Sequence, residues 1–113
     1  MTIHLDEDIF EIVKNGTKKI ELRVNDEKRR KLKEGDTIIF LKRPEEKEKI
    51  EAYIEKLEYY NTFKEATDNY EIEDIYTKDY TKEGFLKLLS RFYTDEEIKK
   101  YGVVAIKFKI TKK

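Results

Sequence analysis

Lys18, Glu21 and Arg23 stand together in the run Gly16-Thr17-Lys18-Lys19-Ile20-Glu21-Leu22-Arg23. Read as a strand, the run puts Glu21 and Arg23 on one face, roughly 6–7 Å apart. A carboxylate beside a guanidinium orients it, and an oriented guanidinium grips a phosphate or a base edge through two parallel hydrogen bonds. Lys18 would add a point charge for phosphate, or a nucleophile or base if burial held it neutral. The competing reading is an exposed cross-strand salt bridge on an outer wall, worth roughly 0–1 kcal/mol.

Other residues extend this set. Lys28-Arg29-Arg30-Lys31 forms a basic run that can touch phosphates without reading sequence, or can be a solvated face paired with Asp26 and Glu27. Seven of the eight tyrosines fall in the second half of the chain. Such rings can stack on unpaired bases, although most are expected to be packing residues whose hydroxyls reach water. Tyr76 and Tyr80, in the irregular stretch IYTKDYTKEG, are the ones expected at a cleft.

The chain has 113 residues, no cysteine and one histidine, His4, in the first strand-like segment. Disulfides and thiolate chemistry are thereby excluded. A zinc site of ordinary type lacks ligands, so no metal and no cofactor are expected. Formal net charge is zero, so no global basic signature points to nucleic acid. The charge is unevenly placed, however. Residues 14–33 hold nine basic and three acidic side chains, and residues 65–79 hold six acidic and one basic. A surface dominated by Lys and Glu, with no Gln, matches the composition of thermophilic proteins. No apolar run is long enough for a membrane span, and MTIHLDEDIF does not read as a signal peptide. The expected location is cytoplasmic, away from membranes.

These residues must be positioned by a modest set of elements. Thr2–Leu5 reads as a strand. Asp6 is a candidate N-cap for a helix whose apolar face is Ile9, Phe10, Ile12 and Val13, with Leu5 and Phe10 placed for a hydrophobic staple. Asn15-Gly16 ends that helix. Lys18–Val24 alternates, with Ile20, Leu22 and Val24 facing the core and Lys19, Glu21 and Arg23 forming a charged outer row. Asp26–Leu32 reads as a short helix, Gly35-Asp36 as a turn and Thr37–Leu41 as a buried strand. Pro44 marks a hairpin loop. Lys49–Tyr60 is a long strand whose apolar phase changes partway, which predicts a bulge or bend.

Thr62 and Thr94, each followed three residues later by Glu, are capping-box patterns. Phe85, Leu86, Leu88, Leu89 and Phe92 define an amphipathic helix starting near Thr81. Tyr101-Gly102 closes the last helix, and Val103–Ile110 is the final strand. The fold class expected is α+β: a small β-barrel of about five to six strands flanked by short helices, with residues 1–113 as one domain.

The segment FEIVKNGTKKIELRVNDEKRRKLKEGDTIIF, with its G-x-K-x-x-E-x-R core, resembles the ASCH domain (activating-signal-cointegrator homology) of the PUA-like superfamily. The closing strand YGVVAIKFKI is similar to the one that ends such domains. The resemblance implies a barrel with a cleft between barrel and helices, and RNA binding linked to translation or RNA modification. Some relatives are enzymes, among them amidohydrolases that deacetylate acetylcytidine nucleosides using a lysine, a threonine and a glutamate, and others linked to single-strand RNA cleavage. Lys18 matches the motif lysine and Arg23 the motif arginine. Glu21 stands where the amidohydrolases have threonine. No motif fixes a downstream glutamate, although Glu71 and Glu73 lie in the right half of the chain.

Three readings follow. The first is an RNA-binding ASCH-type domain acting through a basic cleft, with Lys18, Lys19, Arg23, Lys28, Arg29, Tyr76 and Tyr80 as nucleic-acid contacts. The second is a hydrolase of a modified nucleoside or of single-stranded RNA, with Lys18 and Glu21 in catalytic roles. The third is a protein-interaction adaptor with a degenerate site. The expected partner is RNA or a nucleoside-type ligand.

Overall fold

The computed structural model describes residues 1–112. Five strands and five short helices follow in the order β1 (Thr2–Leu5), α1 (Glu7–Lys14), β2 (Ile20–Val24), β3 (Thr37–Lys42), β4 (Lys49–Tyr60), α2 (Phe63–Asp68), α3 (Ile72–Ile75), α4 (Lys82–Leu89), α5 (Asp95–Tyr101) and β5 (Val103–Lys112). The strands form one curled sheet in the order β1-β3-β4-β5-β2. β1 runs parallel to β3, and every other pairing is antiparallel. The α+β class and the small five-stranded barrel with flanking helices are as expected, and the curled sheet forms a half-barrel. The two terminal strands of the sheet, β1 and β2, come from the first quarter of the chain and leave a seam.

Two cores share strand β5. Inside the curl, Phe10 and Val13 of α1 pack on Ile3, Leu5, Ile38, Phe40, Ile50, Ile54, Val104, Ile106 and Phe108. Phe40 and Phe108 meet with ring centroids 4.9 Å apart. Outside the curl, Ile20, Leu22, Val24, Val103 and Ala105 are covered by Phe63, Ala66, Ile75 and Phe85 of the helices. Covering both faces of β5 at its start explains the unbroken apolar run Val103-Val104-Ala105-Ile106. Alternation resumes at Lys107 and Lys109, where the outer face meets water.

The expected phase change in β4 is present. Its register on β5 shifts between Glu51 and Ala52 and again between Ile54 and Lys56, which bends the strand around the curl. Gly16 (φ +86°) ends α1 and Gly102 (φ +73°) ends α5, both in the region that favours glycine.

Several expectations need correction. The helix expected over Asp26–Leu32 is a single 3-10 turn at Arg29–Lys31. Asp26 Oδ1 accepts from the Arg29 backbone N–H at 3.1 Å, and only Leu32 is packed against a core, so no apolar stripe sustains further turns. The Thr94 capping box is complete, but Thr62 makes only the half in which its hydroxyl accepts from the Glu65 backbone. Asp6 occupies the N-cap position of α1 without a side-chain cap bond. Phe92 lies beyond the end of α4 and is 70% exposed. Of the charged row, Glu21 and Arg23 face a covered side of the sheet, as the cleft reading expects, whereas Lys19 is exposed.

Candidate functional site at the sheet seam

Antiparallel pairing with β5 fixes where the β2 side chains point. Glu21 lies opposite Ile106 and Arg23 opposite Val104, both on the inner face of the curl; Leu22 lies opposite Ala105, on the helix-covered face. Both faces of β2 are therefore enclosed, and Glu21 is only 7% exposed. Side chains alternate along β2 as the sequence pattern predicts, with both sides of the strand covered.

Lys18 reaches the same interior by a different route. Its backbone N–H donates to Ile12 O at 3.0 Å, and the Lys19 N–H donates to Asp74 O at 2.8 Å. These bonds hold the segment before β2 against α1 on one side and α3 on the other. They turn Lys18 inward, 3% exposed, and leave Lys19 outside. Lys18 Nζ donates to Ile75 O at 2.7 Å and lies 3.2 Å from Glu21 Oε1. Arg23 Nη2 lies 3.3 Å from Glu21 Oε2. One buried carboxylate thus holds two cations, one at each oxygen.

Electrostatics follow from that geometry. Burial works against the Glu21 charge, but Lys18 and Arg23 together outweigh it and hold the carboxyl below the ordinary glutamate value. Burial likewise opposes the Arg23 charge and is outweighed by Glu21 and, secondarily, by the Tyr93 hydroxyl, so Arg23 stays firmly cationic. Both groups are charged across the physiological range.

The triad forms the floor of a cleft of about 430 Å³ at the seam between β1 and β2. That is within the ~300–1,000 Å³ of small-molecule sites. The β1–α1 corner contributes His4, Asp6, Asp8 and Ile9, the end of β3 contributes Arg43, and the opposite wall is Tyr76, Phe85, Leu88, Leu89, Phe92 and Tyr93. Tyr76 and Phe85 are stacked at 5.1 Å with planes 22° apart. Burial raises the Tyr76 phenol above its ordinary value, with smaller contributions from Tyr80 and Asp8, so it is a neutral donor.

The cleft is not basic in the sense expected from the sequence. Lys18, Arg23 and Arg43 are balanced by Asp6, Asp8 and Glu21 among its lining residues. His4 at the rim contacts Glu46.

Of the residues singled out from sequence, the structure brings Lys18, Glu21, Arg23 and Tyr76 together. Lys19 is exposed beside Lys107 and Lys109, in a surface hollow on the other side of Lys18 that the cleft residues Glu21 and Arg23 do not line. Tyr80 does not line the cleft but packs edge-on against Tyr76 at 4.8 Å. Lys28 and Arg29 lie away from it as well. Lys28 is exposed, and Arg29 Nε is buried without a partner. Arg30 of the same run bonds to Asn25 O and Tyr101 O, at the far end of β2. The basic turn is therefore directed at α5 and not at the triad. Sequence reasoning missed Arg43, Asp6, Asp8 and the α4 wall. Only the apolar stripe of α4 signalled any of these, and it reads equally well as core. Among the described residues, no group of His, Cys, Asp or Glu is placed to hold a metal ion, and no helix is long and apolar enough to cross a membrane.

A small curled sheet with helices on its outer face and a charged triad at its seam defines a class, and comparison with known proteins gives that class its name. The ASCH domain model matches residues 3–112, and the chain belongs to the ASCH domain family. It is similar to the hypothetical protein PH0355, whose crystal structure superposes with a TM-score of 0.86 at 38% identity over 97% of each chain. It is also similar to protein PF0455 from Pyrococcus furiosus, whose solution NMR structure gives a TM-score of 0.73 at 31% identity, again over 97% of each chain. No curated protein matches the chain.

Proposed function

We propose that this chain binds RNA and seats one unpaired base in the seam cleft. The observation that carries this reading is the combination of a fixed, buried Lys18–Glu21–Arg23 floor with a facing wall of Tyr76, Phe85 and Tyr93. A flat heterocycle fits such a site, with its π-face against aromatic side chains and its polar edge toward oriented donors. Glu21 engages one terminal nitrogen of Arg23, which leaves further N–H groups of the guanidinium for a base edge. The balance of three cations and three carboxylates favours a neutral base over a phosphate, so cleft binding should respond little to salt. Membership in the ASCH family supports RNA as the polymer, with residues 1–113 acting as one domain in cytoplasmic RNA metabolism or translation-linked regulation.

Fluorescence titration of labelled single-stranded RNA against wild type, Arg23→Ala and Lys18→Ala tests this. Loss of affinity in Arg23→Ala, with fold retained by circular dichroism, is the expected result. Affinity equal to that of wild type in both variants would remove the proposal.

A second reading, hydrolysis of a modified nucleoside or of single-stranded RNA in the same cleft, draws on the Lys18–Glu21 contact at its floor. The described cleft lining includes no serine, threonine or cysteine to act as nucleophile, which favours binding. Incubation with acetylcytidine, and separately with labelled RNA, distinguishes the two. Product formed by wild type and absent with Lys18→Ala would establish the enzyme.

A further inference from the structure

A second groove, of about 930 Å³, lies between the end of β4, α2, the end of α4 and α5. It is not separate from the seam cleft: Leu89 and Tyr93 line both. The side of Tyr93 that closes the cleft therefore belongs to a ridge whose other side opens into the groove.

The two hollows differ in charge. The cleft is balanced, whereas the groove lining has Lys64, Lys99 and Lys100 against Asp95 alone. Lys64 is paired with Asp68 at 2.9 Å. Lys99 and Lys100 are exposed in the last turn of α5 and form no ion pair among the described residues. Both Arg30 and Lys100 contact the Tyr101 ring, with the guanidinium 5.5 Å and Lys100 Nζ 5.0 Å from its centroid. Arg30 is the one residue of the basic turn placed against a groove residue, Tyr101, although it does not itself line the groove. Tyr59, at the end of β4, also lines it and is 60% exposed, with neither an aromatic nor a cationic partner on its ring among the described residues. An uncovered tyrosine beside unpaired cations has the two components of a single-strand track: a stacking surface, and charges that follow a phosphate backbone.

We propose that this groove is a second subsite for single-stranded RNA, in which the strand leaving the seam cleft crosses Tyr93, stacks a neighbouring base on Tyr59, and sets its phosphates against Lys99 and Lys100. The proposal rests on the RNA reading of the cleft. It divides labour that one site cannot perform: the balanced cleft discriminates the base, and the cationic groove supplies salt-sensitive affinity for the polymer.

The test compares uridine monophosphate with an oligouridine of about eight nucleotides. Affinities are measured by anisotropy or calorimetry over a range of salt for wild type, Arg23→Ala, Tyr59→Ala and the double variant Lys99→Gln/Lys100→Gln. The Tyr59 and lysine variants alter exposed side chains and should keep the fold; circular dichroism checks it. Expected are an about tenfold loss of oligonucleotide affinity for Tyr59→Ala, and a salt slope shallower by about 1.4 for the double lysine variant, roughly 0.7 per phosphate contact. Mononucleotide binding should be unchanged in both. Oligonucleotide affinity that falls only with Arg23→Ala overturns the groove and leaves the cleft. Affinity that falls only with the groove variants overturns the cleft and retains the groove. No binding of the oligonucleotide by wild type overturns both.

Discussion

Glu21 Oε1 lies 3.2 Å from Lys18 Nζ, and Lys18 is in turn bonded to the Ile75 carbonyl of α3. The carboxylate that orients Arg23 is therefore anchored through lysine to the helical layer outside the sheet. Arg23, 24% exposed at the side chain, is the most exposed member of the triad. Lys18 and Glu21 are its supports.

This arrangement makes Glu21 the element whose loss should be felt most. Glu21→Gln leaves two cations facing each other over an uncharged, buried amide. Removing one partner of a buried charge cluster typically costs about 3–5 kcal/mol. Because the folded-state value of Glu21 is depressed, its contribution is fully present above the unfolded value, near 4.5, and is lost as pH falls through the lower folded value. Urea unfolding of wild type and Glu21→Gln at several pH values should show a large gap at pH 7 that narrows below about 4.5. A gap that persists unchanged in acid would contradict the charge assignment.

Gly102 joins α5 to β5 at φ +73°, and a Cβ there would stand 3.1 Å from the Tyr60 carbonyl oxygen. Gly102→Ala combines an unfavourable backbone conformation with a contact against main chain that cannot easily yield. A loss of about 1–3 kcal/mol is expected, read as a lower urea midpoint with the slope unchanged. An unaffected midpoint would mean that the junction relaxes freely.

Tyr93 touches Phe63 at 5.3 Å between centroids and lines both hollows. If its ring is a wall for bases, Tyr93→Phe should keep most RNA affinity, whereas Tyr93→Leu should weaken it by roughly 1–3 kcal/mol. Equal binding by the phenylalanine and leucine variants would show that shape alone matters at this ridge.

Much of this fold is legible in the sequence because its signals are local. The Gly16 and Gly102 stops, the Thr94 box and the shifted phase of β4 each follow from a few neighbouring residues. The site was legible in content but not in surroundings. Period-two alternation says that Glu21 and Arg23 share a side, yet it does not say whether that side is wet. The answer depends on β1 and α1 closing over the inner face, a consequence of strand order. Lys18 and Lys19 illustrate the limit at one-residue scale. Strand alternation assigned Lys19 to the charged row, but β2 begins only at Ile20, and hydrogen bonds to Ile12 and Asp74 decide which lysine turns inward. Arg43 and Asp8 reach the cleft through contacts distant in sequence and left no pattern to find. The basic run was visible, but its destination beside Tyr101 was not.

The central claim, that the seam cleft holds a base above Arg23, is tested most directly by a ¹H–¹⁵N NMR titration with a nucleoside monophosphate. Saturable shifts should concentrate in residues 18–23, at Tyr76 and in residues 85–93, with the Arg23 side-chain Nε–H among the most affected. Shifts confined to the basic turn at residues 28–31, or none at saturating ligand, would contradict it.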